Sequence, residues 1–389
     1  MTITNVAIVG TGFMSWVHTE ALRRIDLPIA GILGSSKEKG ASAASSLGID
    51  RYFESYDEIL TDPDVHSVHI CTPNNLHFEM AKSALLAGKH VLCEKPLAMT
   101  SAESYELLEI AAAHPQLAAA VNYNIRYYPL CMEAREFTQA QESGDFIHAT
   151  GSYTQDWLST PNDYNWRVLA DKGGALRAVA DIGTHWLDLI QFISGTQIQA
   201  VCADLNTVHP FRSRPMEEID TFTGPQNPSQ DQETVDITTE DYGAILLRFE
   251  GGARGCLHVS QVVPGHKNCL RFEIVSSKQS LAWNSEQPNE LHIGKRSEAN
   301  QILMRDPALL TDFAHSFTSY PGGHNEGYPD SFKQCFRDFY KYIENAKWNE
   351  TPTFPRFTDG HHEVQLCEAI LKSHNEQRWI AIQETERCN

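Results

Sequence analysis

Basic charge, long apolar runs and paired cysteines are scarce in this chain, and each shortage removes a class of function. Among 389 residues, 31 Lys and Arg face 50 Asp and Glu, leaving a formal net charge of −19. So acidic a surface repels phosphate backbones and anionic lipid, which argues against nucleic acid or a membrane as partner. Any phosphorylated ligand would have to be held by local backbone donors against that field. No apolar stretch approaches the ~20 residues of a bilayer span. The opening Met1-Thr2-Ile3-Thr4-Asn5 lacks the basic and apolar regions of a signal peptide. The nine cysteines (71, 93, 131, 202, 256, 269, 335, 367 and 388) have no C-x-x-C and no framework spacing. An odd, scattered set reads as buried, reduced thiols, and the expectation is a soluble, cytoplasmic chain.

What is present is enough apolar material for a core: 41% hydrophobic and 10% aromatic residues. The first third alternates short apolar runs with helical patterns. Val6–Val9, Ile29–Leu33, Val65–Cys71, His90–Glu94 and Leu117–Val121 read as strands. Between them, Ser15–Arg24, Lys37–Leu47, Leu76–Ala87 and a stretch opened by Thr100 and Glu103 read as helices, the last with capping-box spacing. This alternation predicts an α/β, doubly wound parallel sheet, the Rossmann arrangement, over residues 1–123. From 124 to 389 the pattern becomes α+β, dominated by one mostly antiparallel sheet. Residues 209–241, with Pro210, Pro215, Pro225 and Pro228, read as an exposed excursion. Ala244–Phe249, Ala253–Val263, Leu270–Ser276 and Ser280–Trp283 read as an antiparallel meander.

Gly10-Thr11-Gly12-Phe13-Met14-Ser15 joins the first strand to the first helix. Gly10 permits the tight turn, Gly12 admits a pyrophosphate, and the helix N-terminus binds its charge. Ser15, in the third glycine's place, is small enough for close helix–strand packing. NAD-binding chains usually carry an acid about 20 residues on for the ribose 2′-OH. Here Gly34-Ser35-Ser36-Lys37-Glu38-Lys39 offers hydroxyls and lysines instead. Ser35, Ser36 and Lys39 suit a 2′-phosphate, so NADP is favoured over NAD, with a Ser-capped, solvated helix start as the competing reading.

Glu94-Lys95-Pro96 ends a strand at the carboxyl edge, where ligands of such sheets bind. Lys95 there could lie beside a nicotinamide and a substrate hydroxyl; taken alone, a surface lysine is the plainer reading. Lys172-Gly173-Gly174 precedes Asp181, His185 and Asp188, whose i, i+4, i+7 spacing puts all three on one helix face. An Asp one turn before a His can orient the imidazole. Seventeen histidines include the pair His361-His362. Adjacent helix positions diverge, so these read as surface histidines, and no metal site is expected.

Together, Gly10-Thr11-Gly12, Thr72-Pro73-Asn74 with His77, Glu94-Lys95-Pro96, Asn124 with Arg126, Gly173-Gly174, and Asp181 with His185 and Asp188 resemble the Gfo/Idh/MocA family of sugar and polyol oxidoreductases. The resemblance spans essentially the whole chain. It implies hydride transfer between a sugar carbinol carbon and a nicotinamide, NAD or NADP. By position, Lys95 would hydrogen-bond the reacting hydroxyl, His185 would be general acid/base, and Asp181 would orient substrate or base. Gly10, Gly12, Phe13, Met14, Thr72, Pro73, Asn74, His77, Glu94 and Lys95 would line the cofactor.

Tyr153-Thr154-Gln155-Asp156-Trp157, Asn165-Trp166-Arg167 and Gly323–Tyr328 resemble the levoglucosan and pyranoside dehydrogenase subgroup. Asn124, Arg126, Gln155, Trp157, Trp166 and Arg167, with Asp181 and His185, would then contact the sugar. The tryptophans packing the loop onto the sheet is an equal reading. Ile125 stands where relatives often have Tyr. The resemblance implies that the sheet of the second domain is large and open, and the family often pairs through it, which implies a homodimer or homotetramer. Two other functions fit the same fold: an NAD-dependent glycoside hydrolase working through transient C3 oxidation, and a non-catalytic dinucleotide sensor. The sensor would be expected to lack Lys95 or His185.

Overall fold

A computed structural model describes residues 4–216 and 232–382. Part of the expected excursion, 217–231 with Pro225 and Pro228, lies outside the described residues, as does Cys388. Two compact units are present. Among the described residues, one holds the chain up to Asn122 together with Phe332–Val364; the other holds Tyr123–Ser331 and 365–382.

The first unit is a parallel sheet of β1 (Val6–Val9), β2 (Ile29–Leu33), β3 (Tyr52–Phe53), β4 (Ser67–Ile70), β5 (His90–Cys93) and β6 (Ala119–Val121). Its order is β3-β2-β1-β4-β5-β6. β1 and β4 are buried along their whole length, as strands covered on both faces must be. The order reverses between β1 and β4, so a crevice opens beyond their carboxyl ends at Gly10 and Cys71. Crossing helices are α1 (Phe13–Arg23), α2 (Lys37–Leu47), α3 (Tyr56–Thr61), α4 (His77–Leu86) and α5 (Ser101–Ala113). Thr100 and Glu103 form the expected capping box on α5.

Two consecutive blocks, 1–123 and 124–389, were expected, yet Phe332–Val364 belongs with the first unit. The cause is the helix Tyr328–Glu344, which buries Phe332, Phe336, Phe339 and Tyr340. The Phe336 ring lies 4.7 Å from His18 and 4.8 Å from His69. Tyr340 extends the same face, its hydroxyl meeting His69 Nε2 at 2.8 Å and Ser67 Oγ at 3.0 Å. A second correction concerns His361 and His362, which are not surface residues. His361 is buried and bonded to Ser104 at 2.8 Å, and burial holds the half-buried His362 down at about 4.

The second unit is built on nine strands: β7 (Phe146–Thr154), β8 (Ile198–Asn206), β11 (Tyr242–Phe249), β12 (Arg254–Ser260), β13 (Cys269–Ser276), β14 (Ser280–Asn284), β15 (Glu290–Gly294), β16 (Gln301–Met304) and β17 (Ile380–Ala381). Outside this sheet, β9 (Phe211–Pro215) and β10 (Gln232–Asp236) pair as a separate antiparallel ribbon. The nine-stranded order is β16-β15-β14-β13-β7-β12-β11-β8-β17. The predicted meander is therefore interrupted, because β7 lies between β12 and β13. β7 runs antiparallel to β13 and parallel to β12, the one parallel pairing in this sheet among the described residues.

The helices Pro129–Gln139 and Thr184–Ser194 bury Leu130, Ala134, Trp186, Leu189 and Ile190 in this unit's core. Gly151 of β7 makes that packing possible. A Cβ there would strike the Arg271 carbonyl and the Trp186 indole, whose Nε1 donates to that carbonyl at 2.9 Å. Of the cysteines, Cys93, Cys131, Cys269 and Cys335 are buried, but Cys256 is exposed because it falls on the outer side of β12's alternation. Among the described residues, no helix is long and apolar enough to cross a membrane.

Candidate active site

In the first unit, the carboxyl edge of the sheet is shaped for a dinucleotide. Gly10 has φ +117°, and a Cβ on it would come within 2.5 Å of the Cys71 carbonyl, so the turn tolerates no side chain. Gly12 opens α1 with no side chain capping the helix. A Cβ there would meet no heavy atom within 4 Å, leaving room beside the first turn. Ser15 is fully buried against Gly10, as the packing argument required. Phe13 and Met14 are half-buried at the helix start. These features fit a pyrophosphate at the helix N-terminus, and Gly10, Gly12, Phe13 and Met14 are the residues that would hold it.

The ribose side is less open than the sequence implied. Ser36 is the N-cap of α2, its Oγ accepting from the Lys39 N–H at 3.3 Å. Lys37 Nζ pairs with Glu54 at 2.7 Å. Ser35 and Lys39 stay at the exposed surface.

Thr72-Pro73-Asn74 are half-buried in the turn after β4, and His77, at the start of α4, is buried beneath them. Its Nδ1 lies 2.6 Å from the Pro96 carbonyl and its Nε2 3.0 Å from the Thr72 carbonyl. His77 thus ties the loop after β4 to the loop after β5; burial lowers its pKa. Lys95 is half-buried, and the Lys95-Pro96 peptide is cis.

Glu94, just before it, is buried and receives His18 Nε2 at 2.9 Å and Asn122 Nδ2 at 2.5 Å. Burial opposes its charge, but the hydrogen bond and charge of His18, the Asn122 amide and the Lys95 ammonium hold the carboxyl down at about 2. His18 continues to His69 at 2.9 Å. His18, His69 and Asn122 escaped the sequence reading: a His in α1 and a His in an apolar strand carry no spacing signal.

In the second unit, Asp181 lies in a π-helical turn, Val179–Gly183, that opens the helix Thr184–Ser194 bearing His185 and Asp188. The predicted single face, with α-helical spacing, is corrected by this turn. A π segment widens the spacing, and such segments recur at functional sites. Glu240 anchors its start, accepting the N–H groups of Arg177 and Val179 at 2.9 and 2.8 Å. Asp181 Oδ2 accepts from Gln261 Nε2 at 2.7 Å, and its Oδ1 lies 3.6 Å from Arg167 Nε. The His185 ring is 8% exposed, standing edge-on to Tyr123 with centroids 5.5 Å apart. Asp188 faces elsewhere: it is buried and takes a bidentate pair of bonds from Arg126.

That pairing engages Arg126 within the core, and Asn124 is likewise buried, donating to Ser331 Oγ at 2.7 Å. Gln155 is 7% exposed and bonded at both ends of its amide. Its Nε2 donates to Asn268 at 2.8 Å, and its Oε1 accepts from Trp157 Nε1 at 2.7 Å and Gln261 Nε2 at 3.1 Å. Trp157 and Trp166 are half-buried, and the Arg167 guanidinium stacks 4.5 Å from the Trp166 ring centre. Asn165 steadies Arg167, accepting from its backbone N–H and its Nη1, each at 3.2 Å. Among the described residues, no three His, Cys, Asp or Glu stand together as a metal-holding group.

Comparison with known proteins closes the question of kinship. Residues 4–123 match the oxidoreductase family with an NAD-binding Rossmann fold, and residues 131–282 match the GFO/IDH/MocA C-terminal domain. The crystal structure of an oxidoreductase domain protein from Kribbella flavida is 31% identical, with a TM-score of 0.87, across 99% of this chain and 100% of that one. The chain belongs to the Gfo/Idh/MocA oxidoreductase family. Within it, levoglucosan dehydrogenase of Pseudarthrobacter phenanthrenivorans is 29% identical over 97% of this chain and 98% of its own length. A solved levoglucosan dehydrogenase, in complex with NADH and L-sorbose, is 28% identical with a TM-score of 0.88, over 99% of this chain and 100% of that one. The family membership makes this chain an NAD-binding oxidoreductase.

Proposed function

We propose that the protein oxidises a secondary ring hydroxyl of a sugar, glycoside or cyclic polyol. The observation that carries this reading is the fixed Asp181 carboxylate on a π turn leading directly into His185, in a chain with an intact dinucleotide edge and full-length kinship to levoglucosan dehydrogenase. Bound nicotinamide supplies the hydride acceptor. Oxidation also releases the hydroxyl proton, and a base with a pKa near working pH must take it. His185 has that role, Lys95 donates to the reacting oxygen, and Asp181 orients the hydroxyl or the imidazole. Arg167 and the Trp157 and Trp166 rings bind the sugar, while Arg126, Asn124 and Gln155 support the site through their internal bonds. The cofactor is NAD rather than NADP: the solved levoglucosan dehydrogenase complexes hold NADH, and Lys37, beside the Ser35-Ser36 turn, is already paired with Glu54.

The test is formation of reduced nicotinamide with NAD⁺ or NADP⁺ and a panel of pyranosides, anhydrosugars and inositols, using Lys95→Ala as blank. A signal with NAD⁺ and one ring stereochemistry is expected. His185→Ala should lower turnover by about 10²–10⁴ while leaving cofactor binding intact. Silence across the panel, or aglycone release from a nitrophenyl glycoside without net reduction, would overturn the dehydrogenase reading.

A further inference from the structure

The parallel pairing of β7 with β12 has a chemical result. Thr154 and Ser260 are partners at the ends of the two strands, so the next residues, Gln155 and Gln261, emerge side by side at one edge. Gln261 is fully buried. Its amide bridges two regions: Oε1 accepts from Arg177 Nη1 at 2.8 Å, and Nε2 donates to Asp181 Oδ2 at 2.7 Å and to Gln155 Oε1 at 3.1 Å.

A glutamine amide can usually flip, exchanging its oxygen and nitrogen. Here it cannot. Arg177 has only donors, so the oxygen must face it, and the NH₂ is forced onto Asp181. Arg177 is fixed in turn by Asp241, which also pairs with Arg212 in a cluster whose side chains are fully buried. Burial opposes the charge of Asp241, yet Arg177, the His209 N–H and Arg212 keep its carboxyl below the ordinary range.

We infer that Gln261 is a positioning residue for Asp181, its amide keyed by the buried Arg177–Asp241–Arg212 cluster so that one carboxylate oxygen is always occupied and the other is directed outward. The inference rests on the proposed dehydrogenase reading only for the role of Asp181. The groups around that carboxylate are Gln261 after β12, Arg167 on its loop and Tyr153 of β7, with His185 four residues on in the helix that follows the π turn. The charged groups behind Gln261 are Arg177, Asp241 and Arg212.

The experiment compares Gln261→Glu, Gln261→Met and Asp181→Asn in the full-length protein. Carboxyl ¹³C titration, with the Asp181 signal assigned by its loss in Asp181→Asn, reads the geometry without substrate. Gln261→Glu keeps the Arg177 contact but puts a second carboxylate against Asp181, so its midpoint should rise by about one unit or more. Gln261→Met removes the donor. Its turnover on the first active sugar of the panel should fall by about 10–100-fold, with the NADH dissociation constant unchanged. If Asp181→Asn is inactive while both Gln261 variants keep the parent midpoint and turnover, the positioning role is refuted alone. If Asp181→Asn keeps full turnover, the proposed role of Asp181 falls instead. Should Gln261→Glu fail to fold, the Met variant still decides.

Discussion

Glu94 keeps its charge inside the first unit because two donors, His18 and Asn122, and the Lys95 charge act on it, and the strongest influence among them is His18. A carboxyl held near 2 instead of its usual 4.5 adds stability above pH 4.5, and that contribution disappears as pH falls toward 2. Replacing His18 by Leu leaves a buried carboxylate with one partner fewer, and burial then drives its pKa upward. The variant should lose about 3–5 kcal/mol at neutral pH. Its deficit should shrink toward pH 4, where the variant's raised Glu94 takes up a proton while the parent's, held at about 2, stays charged. Melting temperatures at pH 7 and pH 4 check this, and an equal deficit at both would refute it. At this scale the sequence was legible where a motif carries its own reason. Gly10, Gly12, Ser15 and the Thr100–Glu103 box behave as their chemistry requires. Arg126 and Gln155 show the converse, since polar residue types near a site do not reveal that a buried partner already occupies them.

Among the contacts that seat the helix carrying His185 on the sheet is the Trp186 indole lying across Gly151 of β7. Gly151→Val would push the indole off the Arg271 carbonyl and lift the helix from the sheet. The expected cost is about 1–3 kcal/mol from overpacking, read from the denaturant midpoint, with turnover reduced in the folded fraction. A variant of parent stability and parent turnover would mean that the helix is held elsewhere. Most elements of the first unit were easy to anticipate, because its strands are short apolar runs and α2 and α5 carry side-chain caps, but the short β3 and α3 were not foreseen. Two features were hidden. The π turn at Val179–Gly183 leaves no mark in a pattern of apolar positions, since it is set by Glu240 capping backbone from far along the chain. The place of β7 between β12 and β13 was hidden too, because strand order across a sheet depends on partners distant in sequence.

Taken whole, a molecule of net charge −19 must bind an anionic cofactor against its own field. Between about 0.01 and 0.1 M salt the screening length contracts from ~30 to ~10 Å, so distant acids stop acting on an incoming ligand. NADH association, followed by stopped-flow fluorescence, should accelerate over that range. Slowing would reveal a local cationic funnel. The division of the chain has a further effect, on synthesis. The nucleotide-binding unit is opened by the first residues made but is completed only by Phe332–Val364, which brings Tyr340 to His69 and Phe336 to His18. A nascent chain therefore carries an unfinished apolar face while some two hundred intervening residues, Tyr123–Ser331, emerge from the ribosome. A fragment cut at residue 123 would be expected to depend on chaperones or aggregate, and any graft of this cofactor module into another protein must take the distal helix with it.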